Sequence, residues 1–546
     1  MLLMECNHIK KYFGERLIIE IDNLKIYTGD KIGIIGVNGA GKTTLIKILN
    51  KMIEPDEGSV RLYANTGYIS QLDSPRRNVI NKEMASKFNV QCNCSEHMSG
   101  GEKTRFKIAQ AMEDNNLMIM ADEPTSNMDM NGIKLLEEVF TAYEGALVLI
   151  SHDRTLLDSL CEKILEIENG KIKIYQGNYS DYKNQKDLEM QRGKFEYEEY
   201  IKEKNRLENA MIEKKQKASS LKKTPKRMGN SEARLHKMGP QKAKANLEGA
   251  AKNIEKRIEH MEVKEKITEP AEIKLTVIDS CKIYSKIVIE GSNINKIFGK
   301  KIIFKDAEFH IPNGSKTAII GSNGSGKSTL IKMIINGNDS LKLSPGLKIG
   351  YFSQDMDILD ENQNILASVM ENSIYNENFA RLLLAGLLFR GDDVYKRISV
   401  LSGGEKVKVS FAKILLQDVN MFILDEPTNY LDIQSLEVIE EVLKGYDGTL
   451  IFVTHDRSFI NSVADRIMTI DDFKINTFPG NYDEYITLSE KNKDTNHQEV
   501  EKRLMVLENQ LIKILGKISM PSKNDDVEAL DREYNEILKQ IRKIKL

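Results

Sequence analysis

The chain has 546 residues, of which 40% are hydrophobic and 29% charged, and its formal net charge is only −2. This composition allows two or three domains with sizeable cores, and the absence of any run of about 18 apolar residues excludes a transmembrane helix. The first residues become polar and basic too early for a signal peptide. Five scattered cysteines fit a reducing cytoplasm, and Cys92 and Cys94 lack the second pair that a zinc site would need. We therefore expect a cytoplasmic protein.

The sequence contains an internal repeat. GVNGAGKTT at residues 36–44 returns as GSNGSGKST at residues 321–329, an offset of 285. The motifs SGGEK, DEPT, SHDR or THDR, and GNY recur at an offset of 303. The offset grows because 28 residues separate Gln71 from Ser99, whereas 48 separate Gln354 from Ser402. The sequence therefore predicts two homologous domains, with the smaller helical insert in the first.

Each copy has the pattern of an α/β domain. Short apolar runs such as KIGIIG and LMIMAD alternate with helical stretches, as buried parallel strands do. The motifs follow these runs, at the edge where open α/β sheets bind ligands.

About 100 residues between the copies lack this alternation and favour a helical hairpin. One apolar stripe comprises Tyr200, Leu207, Met211, Ala218 and Leu221, and the other comprises Leu247, Ala251, Ile254, Ile258 and Met261. Thr224-Pro225, Met228-Gly229 and Gly239-Pro240 are expected to break the chain between the two helices. The alternative is a solvated disordered loop.

The region around the expected tip, residues 219–243, is strongly basic. Residues 214–244 contain eleven Lys or Arg and His236 against one acid, Glu232. Across residues 183–270 there are 23 basic and 15 acidic residues, whereas the rest of the chain has 56 and 66. This segregation indicates a polyanion-binding element on an acidic body.

A second, shorter helical hairpin is expected at the C-terminus, where apolar stripes from Val500 to Ile518 and from Leu530 to Ile544 flank the break MPSKNDD. The expected organisation is a first domain at 1–183, a linker at 184–285, a second domain at 286–486 and a C-terminal hairpin at 487–546.

The duplicated G-x-x-x-x-G-K-[ST] motif predicts two nucleotide-binding sites rather than tight glycine turns alone. Backbone amides at the glycines would surround phosphates, a lysine would reach the β- and γ-phosphates, and Thr43 or Ser328 would ligate Mg²⁺. The residues are Gly36, Asn38, Gly39, Gly41, Lys42, Thr43 and Thr44, and Gly321, Asn323, Gly324, Gly326, Lys327, Ser328 and Thr329.

Paired acids follow an apolar run in each copy, as Asp122-Glu123 and Asp425-Glu426. In this setting the Asp would hold Mg²⁺ and the Glu would orient and deprotonate the attacking water. A helix N-cap is the alternative for these pairs.

These motifs, in this order, resemble those of the ABC ATPases. The resemblance includes Gln71 and Gln354, the signatures Ser99-Gly100-Gly101 and Ser402-Gly403-Gly404, and the switch residues His152 and His455. It implies that ATP lies between the Walker A motif of one copy and the signature of the other, in one monomer with two sites. It also implies that Gln71 and Gln354 join the Mg²⁺ ligands and that Phe13 and Phe298 stack on adenine. Tyr12 is a rival for Phe13, and core packing is an alternative for either ring.

Tandem domains on one chain, the LSGGEK signature and DEPTNYLD resemble the ABC-F class, whose members act on ribosomes. The first copy departs from the pattern at Met98 and at Ser126–Asp129. A short first insert with a long basic linker resembles the branch that protects ribosomes against lincosamides, pleuromutilins and streptogramin A.

The resemblance implies that the linker enters the tRNA exit site of the 70S ribosome, contacts rRNA and peptidyl-tRNA, and displaces the drug, while hydrolysis resets the cycle. The RNA-binding candidates at the tip are Lys222, Lys223, Lys226, Arg227, Met228, Arg234, Leu235, His236, Lys237 and Met238. A housekeeping ABC-F translation factor is the main alternative. A transporter's cytosolic ATPase or a DNA-repair ATPase is less consistent with the basic linker.

Overall fold

The structure is a computed structural model. It describes residues 1–546 except 72, 76, 96–97, 221–229, 265–282, 300, 354–357, 430, 490–531, 533, 536 and 540–546, and for 230–241 it describes only the backbone. The expected C-terminal hairpin thus lies almost wholly outside the described residues. The chain forms two compact units, the first comprising Met1–Lys87, Lys107–Pro124 and Glu137–Glu272, and the second Phe88–Phe106, Thr125–Leu136 and Ile273–Leu546.

A nine-stranded sheet forms the first ABC-like domain, in the order β4-β1-β2-β9-β8-β3-β7-β6-β5. Its central strands pair in parallel, and β6 and β7 are fully buried, which explains their uninterrupted apolar sequences. The strands are β1 (Leu2–Phe13), β2 (Arg16–Tyr27), β3 (Lys31–Gly36), β4 (Glu57–Leu62), β5 (Thr66–Ile69), β6 (Met118–Asp122), β7 (Ala146–Ile150), β8 (Lys163–Glu168) and β9 (Lys171–Gln176). The helices are α1 (Lys42–Leu49), α2 (Lys82–Lys87), α3 (Gly100–Glu113), α4 (Met130–Thr141) and α5 (Arg154–Leu160).

Two long helices follow in the first unit, α6 (Tyr179–Ser220) and α7 (Asn230–Glu259). They pack antiparallel, since Lys215 pairs with Glu255 at 3.5 Å while Glu203, earlier in α6, pairs with Arg257 at 3.4 Å. Leu207, Ala218 and Ala251 of the apolar stripes are buried. The two helices of the expected hairpin are therefore present, while the expected breaks at Thr224-Pro225 and Met228-Gly229 lie outside the described residues.

The expected break at Gly239-Pro240 is wrong, because α7 runs through both residues. Proline removes one backbone donor from a helix and disfavours its interior, but a 30-residue helix with a packing partner keeps its remaining hydrogen bonds.

The second unit repeats the parallel sheet. Its six strands follow the order β14-β15-β16-β12-β17-β18, which matches the order β5-β6-β7-β3-β8-β9 of the first, and a separate sheet has the order β11-β10-β13. The strands are β10 (Ile287–Phe298), β11 (Lys301–Pro312), β12 (Lys316–Ile320), β13 (Leu341–Leu343), β14 (Ile349–Phe352), β15 (Met421–Asp425), β16 (Thr449–Val453), β17 (Arg466–Asp471) and β18 (Lys474–Pro479).

The helices of the second unit are α8 (Lys327–Asn336), α9 (Ile365–Met370), α10 (Glu377–Gly386), α11 (Gly403–Leu415), α12 (Ile433–Gly445) and α13 (Arg457–Val463). The larger insert of this copy contains α9, α10 and two 3-10 turns, at Gly391–Tyr395 and Ile398–Val400. In the part of the chain that the structure describes, none of the helices is both long and apolar enough to cross a bilayer.

A buried ion pair joins two helices of the second unit. Lys408 of α11 donates to Asp432, the N-cap of α12, at 2.7 Å, and the two side chains are 5% and 1% exposed. Burial alone would raise the pKa of Asp432, but the charge of Lys408 and hydrogen bonds from Lys408 and Ser435 outweigh it and lower the pKa to about 2.

This lowered pKa gives an expected dependence of stability on acid. The pKa in the folded state lies below that of an unfolded Asp, so the stabilisation is present above about pH 4 and is lost as the pH falls through about 2. Between pH 5 and 2.5 the free energy of unfolding should fall more for the wild type than for Lys408→Met/Asp432→Asn, by about 2 kcal/mol. Urea titrations at several pH values measure this difference, and parallel pH profiles would contradict it.

Candidate functional site

The first Walker A loop connects β3 to α1. Gly41, with φ of 100°, directly precedes the helix, and its left-handed backbone requires glycine. Lys42 is 9% exposed, and its Nζ donates to the carbonyl oxygens of Gly36 at 2.7 Å and Val37 at 3.3 Å. A lysine beside an open helix N-terminus can bind a phosphate group. Asn38, Gly39 and Thr44 lie in the same segment.

The second Walker A loop has the same geometry between β12 and α8. Gly326 has φ of 114°, and Lys327 Nζ donates to the carbonyl oxygens of Gly321 at 2.8 Å and Ser322 at 3.1 Å. Burial lowers the pKa of Lys327, and the nearby carboxylates of Glu426, Asp129 and Asp425 act against that shift. A nucleotide phosphate would add further negative charge near this lysine.

Two of the three expected Mg²⁺ ligands come together in each copy. Asp122, at the end of β6, is 2% exposed, and the Thr43 hydroxyl hydrogen-bonds its carboxylate. Ser328 bonds Asp425 in the same way. Burial raises the pKa of both aspartates. A hydroxyl beside a buried carboxylate is the kind of oxygen donor set that Mg²⁺ prefers, so these residues fit the ion.

The two glutamates adopt a rare backbone conformation. Glu123 and Glu426 have φ of 49° and 51°, and their backbone N–H groups donate to Ile150 at 3.0 Å and Val453 at 2.9 Å. A non-glycine residue at positive φ costs free energy that the surrounding structure must offset. Because both copies keep this strained conformation, the fold holds the two glutamate side chains in equivalent, fixed orientations.

Each glutamate contacts the histidine that follows the next strand. Glu123 Oε1 lies 3.2 Å from His152 Nε2, and Glu426 Oε1 lies 3.4 Å from His455 Nε2. Burial raises the pKa of both carboxyls to about 8, and burial together with the charge of Lys327 lowers the pKa of His455 to about 4. A carboxyl with a raised pKa is a stronger proton acceptor, and a neutral histidine can orient it.

The remaining candidates are the two glutamines and the aromatic residues expected near the nucleotide. Gln71 is an exposed residue after β5, and its carbonyl accepts from Lys107 at 3.4 Å, whereas Gln354 lies outside the described residues. Phe13 and Phe298 end β1 and β10 and are each 55% exposed. Tyr12 is half-buried. The two phenylalanine rings are thus accessible for stacking.

The signature residues begin a helix in each copy. Ser402 is the N-cap of α11 and forms a capping box with Glu405, and Ser99 makes the same two hydrogen bonds with Glu102 before α3. Gly100, Gly101, Gly403 and Gly404 form the first turns. Both signatures therefore present a fixed helix N-terminus, which can bind an anion.

Within the second unit, the first signature faces the second Walker A loop. Ser99, Gly101 and Asp129 line a cavity of about 380 Å³ together with Asn323 and Gly324. The Asn323 backbone N–H donates to Asp129 Oδ2 at 3.2 Å, and the Asn323 side-chain Nδ2 donates to the Asn127 carbonyl at 3.3 Å. Lys42, Glu123 and His152 belong to the first unit and Ser402–Gly404 to the second, so their pairing stays a prediction.

Comparison with known proteins identifies the family. The model of the family described as ABC transporter matches residues 19–126 and 304–429. An erythromycin resistance ATP-binding protein, MsrA of Staphylococcus epidermidis, is 32% identical over 84% of this chain and 96% of its own. The ribosome protection protein VmlR of Bacillus subtilis is 31% identical over 96% of this chain and 94% of its own. The chain belongs to the ABC-F family of tandem ABC ATPases. Relatives whose names state only that they bind ATP align at slightly lower identity.

The fold of this ABC-F protein also resembles a solved structure. An archaeal ribosome recycling factor, aABCE1, in complex with a ribosomal stalk protein, superimposes with a TM-score of 0.59 at 19% identity, over 89% of this chain and 92% of that one. At that identity the likeness concerns the tandem ABC fold alone. As an ABC-F member the protein binds ATP and hydrolyses it.

Sequence reasoning missed part of the site. Asp129 and Asn127 were not among the candidate residues, yet both contact the second Walker A loop of this ABC-F protein. The offset of 303 aligns Asp129 with Asp432, but this equivalence does not predict the contact of Asp129 with Asn323. The capping boxes could have been found from the S-x-x-E spacing.

Proposed function

We propose that this ABC-F ATPase binds the bacterial 70S ribosome and protects its peptidyl-transferase centre from antibiotics. The α6–α7 hairpin carries the proposal, because its two helices have 42 and 30 residues and residues 214–244 are the most basic part of the sequence. Helix α6 has 42 residues, which at about 1.5 Å per residue corresponds to roughly 60 Å. Such a length would let the tip act far from the ATP sites. A ribosomal partner would place the protein in the cytoplasm.

Two relatives, one named for resistance and one for ribosome protection, support the choice of target. MsrA is named for erythromycin resistance and VmlR for ribosome protection, and both align over most of this chain. A housekeeping ABC-F translation factor is the second candidate, since relatives named only for ATP binding also align.

We assign the hydrolytic roles from the geometry of the two copies. Glu123 and Glu426 accept the proton of the attacking water, and His152 and His455 orient them. We propose that Lys42 and Lys327 bind the β- and γ-phosphates and that the helix N-termini at Ser99 and Ser402 would contribute to the nucleotide site of the opposite copy.

Thr43, Gln71 and Asp122 would hold Mg²⁺ in the first copy, and Ser328, Gln354 and Asp425 in the second. The ion supplies neutralisation of phosphate charge.

The first experiment measures how ribosome binding changes with salt concentration. Cations that neutralise phosphates release counterions, so ribosome association should weaken steeply as salt rises. Replacing Lys222, Lys223, Lys226 and Arg227 by Ala should flatten this slope, whereas replacing four exposed lysines outside the hairpin should leave it unchanged. Cosedimentation between 50 and 300 mM KCl gives both slopes, and equal slopes would exclude this segment as the RNA contact.

The second experiment separates docking from action at the tip. The free energy of ribosome binding is expected to be a sum over many charged contacts. Removing neutral tip side chains should therefore leave ATPase activity and cosedimentation nearly intact in Met228→Ala, Leu235→Ala and Met238→Ala. Drug displacement depends on local shape, and at least one of these changes should lower protection several-fold in minimum inhibitory concentration. Full protection by the combined triple variant would favour the housekeeping function.

A further inference from the structure

A buried carboxylate lies where α6 leaves the first ABC domain. Glu166, on β8, is 3% exposed. It accepts hydrogen bonds from the Tyr182 hydroxyl at 2.8 Å, from Lys186 Nζ at 2.8 and 2.9 Å, and from the Tyr175 hydroxyl at 3.2 Å. Tyr182 and Lys186 belong to the first turns of α6, and Tyr175 belongs to β9. One carboxylate therefore ties the start of the hairpin to two strands of the sheet.

Further contacts surround this carboxylate. Lys186 also pairs with Glu168 at 2.9 Å, and the rings of Tyr175 and Tyr182 pack edge to face at 5.0 Å. At the exposed edge of this cluster, Lys173 of β9 pairs with Glu189 of α6 at 2.6 Å. A buried charge that is fully hydrogen-bonded resists displacement, because each bond lost would leave a polar group unsatisfied. The arrangement thus opposes tilting of α6 against the sheet.

The second copy of the repeat lacks three of the side chains that form this cluster in the first copy. At the offset of 303, Thr469 replaces Glu166, Phe478 replaces Tyr175 and Ser489 replaces Lys186. Strands β17 and β18 nevertheless pair as β8 and β9 do. The ABC fold therefore does not require the carboxylate cluster, which occurs in the copy that carries the α6–α7 hairpin.

We propose that Glu166, Tyr175, Tyr182 and Lys186 form a positioning site, the α6 anchor, that fixes the direction of the hairpin relative to the first ABC domain. Helix α6 continues for 34 residues after Lys186, to Ser220, a length of roughly 50 Å. A tilt of about 10° at the anchor would move the end of α6 by roughly 9 Å. For the action at the ribosome, the inference rests on the proposed function.

The test transplants the residues of the second copy into the first. The variant Glu166→Thr/Tyr175→Phe/Lys186→Ser installs the side chains that the second copy carries at the equivalent positions, Thr469, Phe478 and Ser489. Leu165→Met is the matched control, since it also installs a second-copy residue on β8 but at a core position. Lys186→Met is a milder variant that keeps Glu166 and both tyrosines, in case the triple variant does not fold.

Spin labels at exposed positions Leu117 and Ile212, with Cys92, Cys94 and Cys281 replaced by Ser, report the direction of the hairpin by electron–electron distance measurements. In the free protein the distance distribution should broaden at least twofold in the triple variant and measurably in Lys186→Met, and it should stay narrow in Leu165→Met. Basal ATPase activity should stay within twofold of the wild type, whereas ribosome-stimulated ATPase activity should fall at least fivefold.

An unchanged distance distribution would overturn the anchor, and so would a broad distribution with full ribosome stimulation. Failure of the proposed function would give a different result. In that case ribosomes would not stimulate the ATPase activity of the unmodified protein either. The distances in the free protein would still decide whether the anchor fixes the hairpin.

Discussion

Glu123→Gln combined with Glu426→Gln should lower ATP turnover by about 10²–10⁴-fold while leaving ATP binding intact. The amide has nearly the shape of the carboxyl but cannot accept the proton of the attacking water. Both glutamates are largely buried, both contact a histidine, and both have a positive φ, so the same substitution acts on equivalent geometry in each copy. The variant should accumulate on ribosomes with ATP bound.

Steady-state phosphate release and nucleotide-binding titrations measure the two effects separately. Glu441→Gln, at an exposed position of α12, is the matched control and should retain full turnover. The single variants show how much each site contributes. Turnover at the wild-type rate in the double variant would contradict the assignment of the general bases.

Asp432→Ala should destabilise the second unit by about 3–5 kcal/mol, because it leaves the buried ammonium of Lys408 without its carboxylate. The substitution also removes the N-cap of α12, because Asp432 Oδ1 accepts a 2.9 Å hydrogen bond from the Ser435 backbone N–H. Urea unfolding followed by circular dichroism measures the loss.

Two comparisons isolate the cause of that loss. Lys408→Met/Asp432→Asn removes both charges and keeps a capping oxygen, so most of the stability should return. Asp129→Ala, at the equivalent position of the first copy, should cost only about 1 kcal/mol, since Asp129 is partly exposed and mainly caps α4. Equal losses for Asp129→Ala and Asp432→Ala would show that the buried pair does not dominate.

The sequence was sufficient to predict what depends on local pattern. The P-loops and the paired acids at strand ends follow from spacing and hydropathy, and the hairpin follows from its two apolar stripes. The prediction of a break at Gly239-Pro240 was wrong, because the packing of a long helix against its partner outweighs the local turn propensity.

Features that depend on tertiary packing could not be predicted. The contact of Asp129 with Asn323 joins residues 194 positions apart, and the bonds of Glu166 to α6 depend on how that helix lies against the sheet. Composition and periodicity carry no information about such pairings.

Protection of the ribosome from drugs by this ABC-F ATPase is tested most directly by minimum inhibitory concentrations. A lincosamide and a pleuromutilin are tested in a sensitive bacterial host, with the wild-type chain expressed beside an empty vector. We expect the wild type to raise the inhibitory concentration of at least one of these drugs fourfold or more. Unchanged susceptibility to both drugs, in cells where the protein cosediments with ribosomes, would contradict drug protection and favour a housekeeping role in translation.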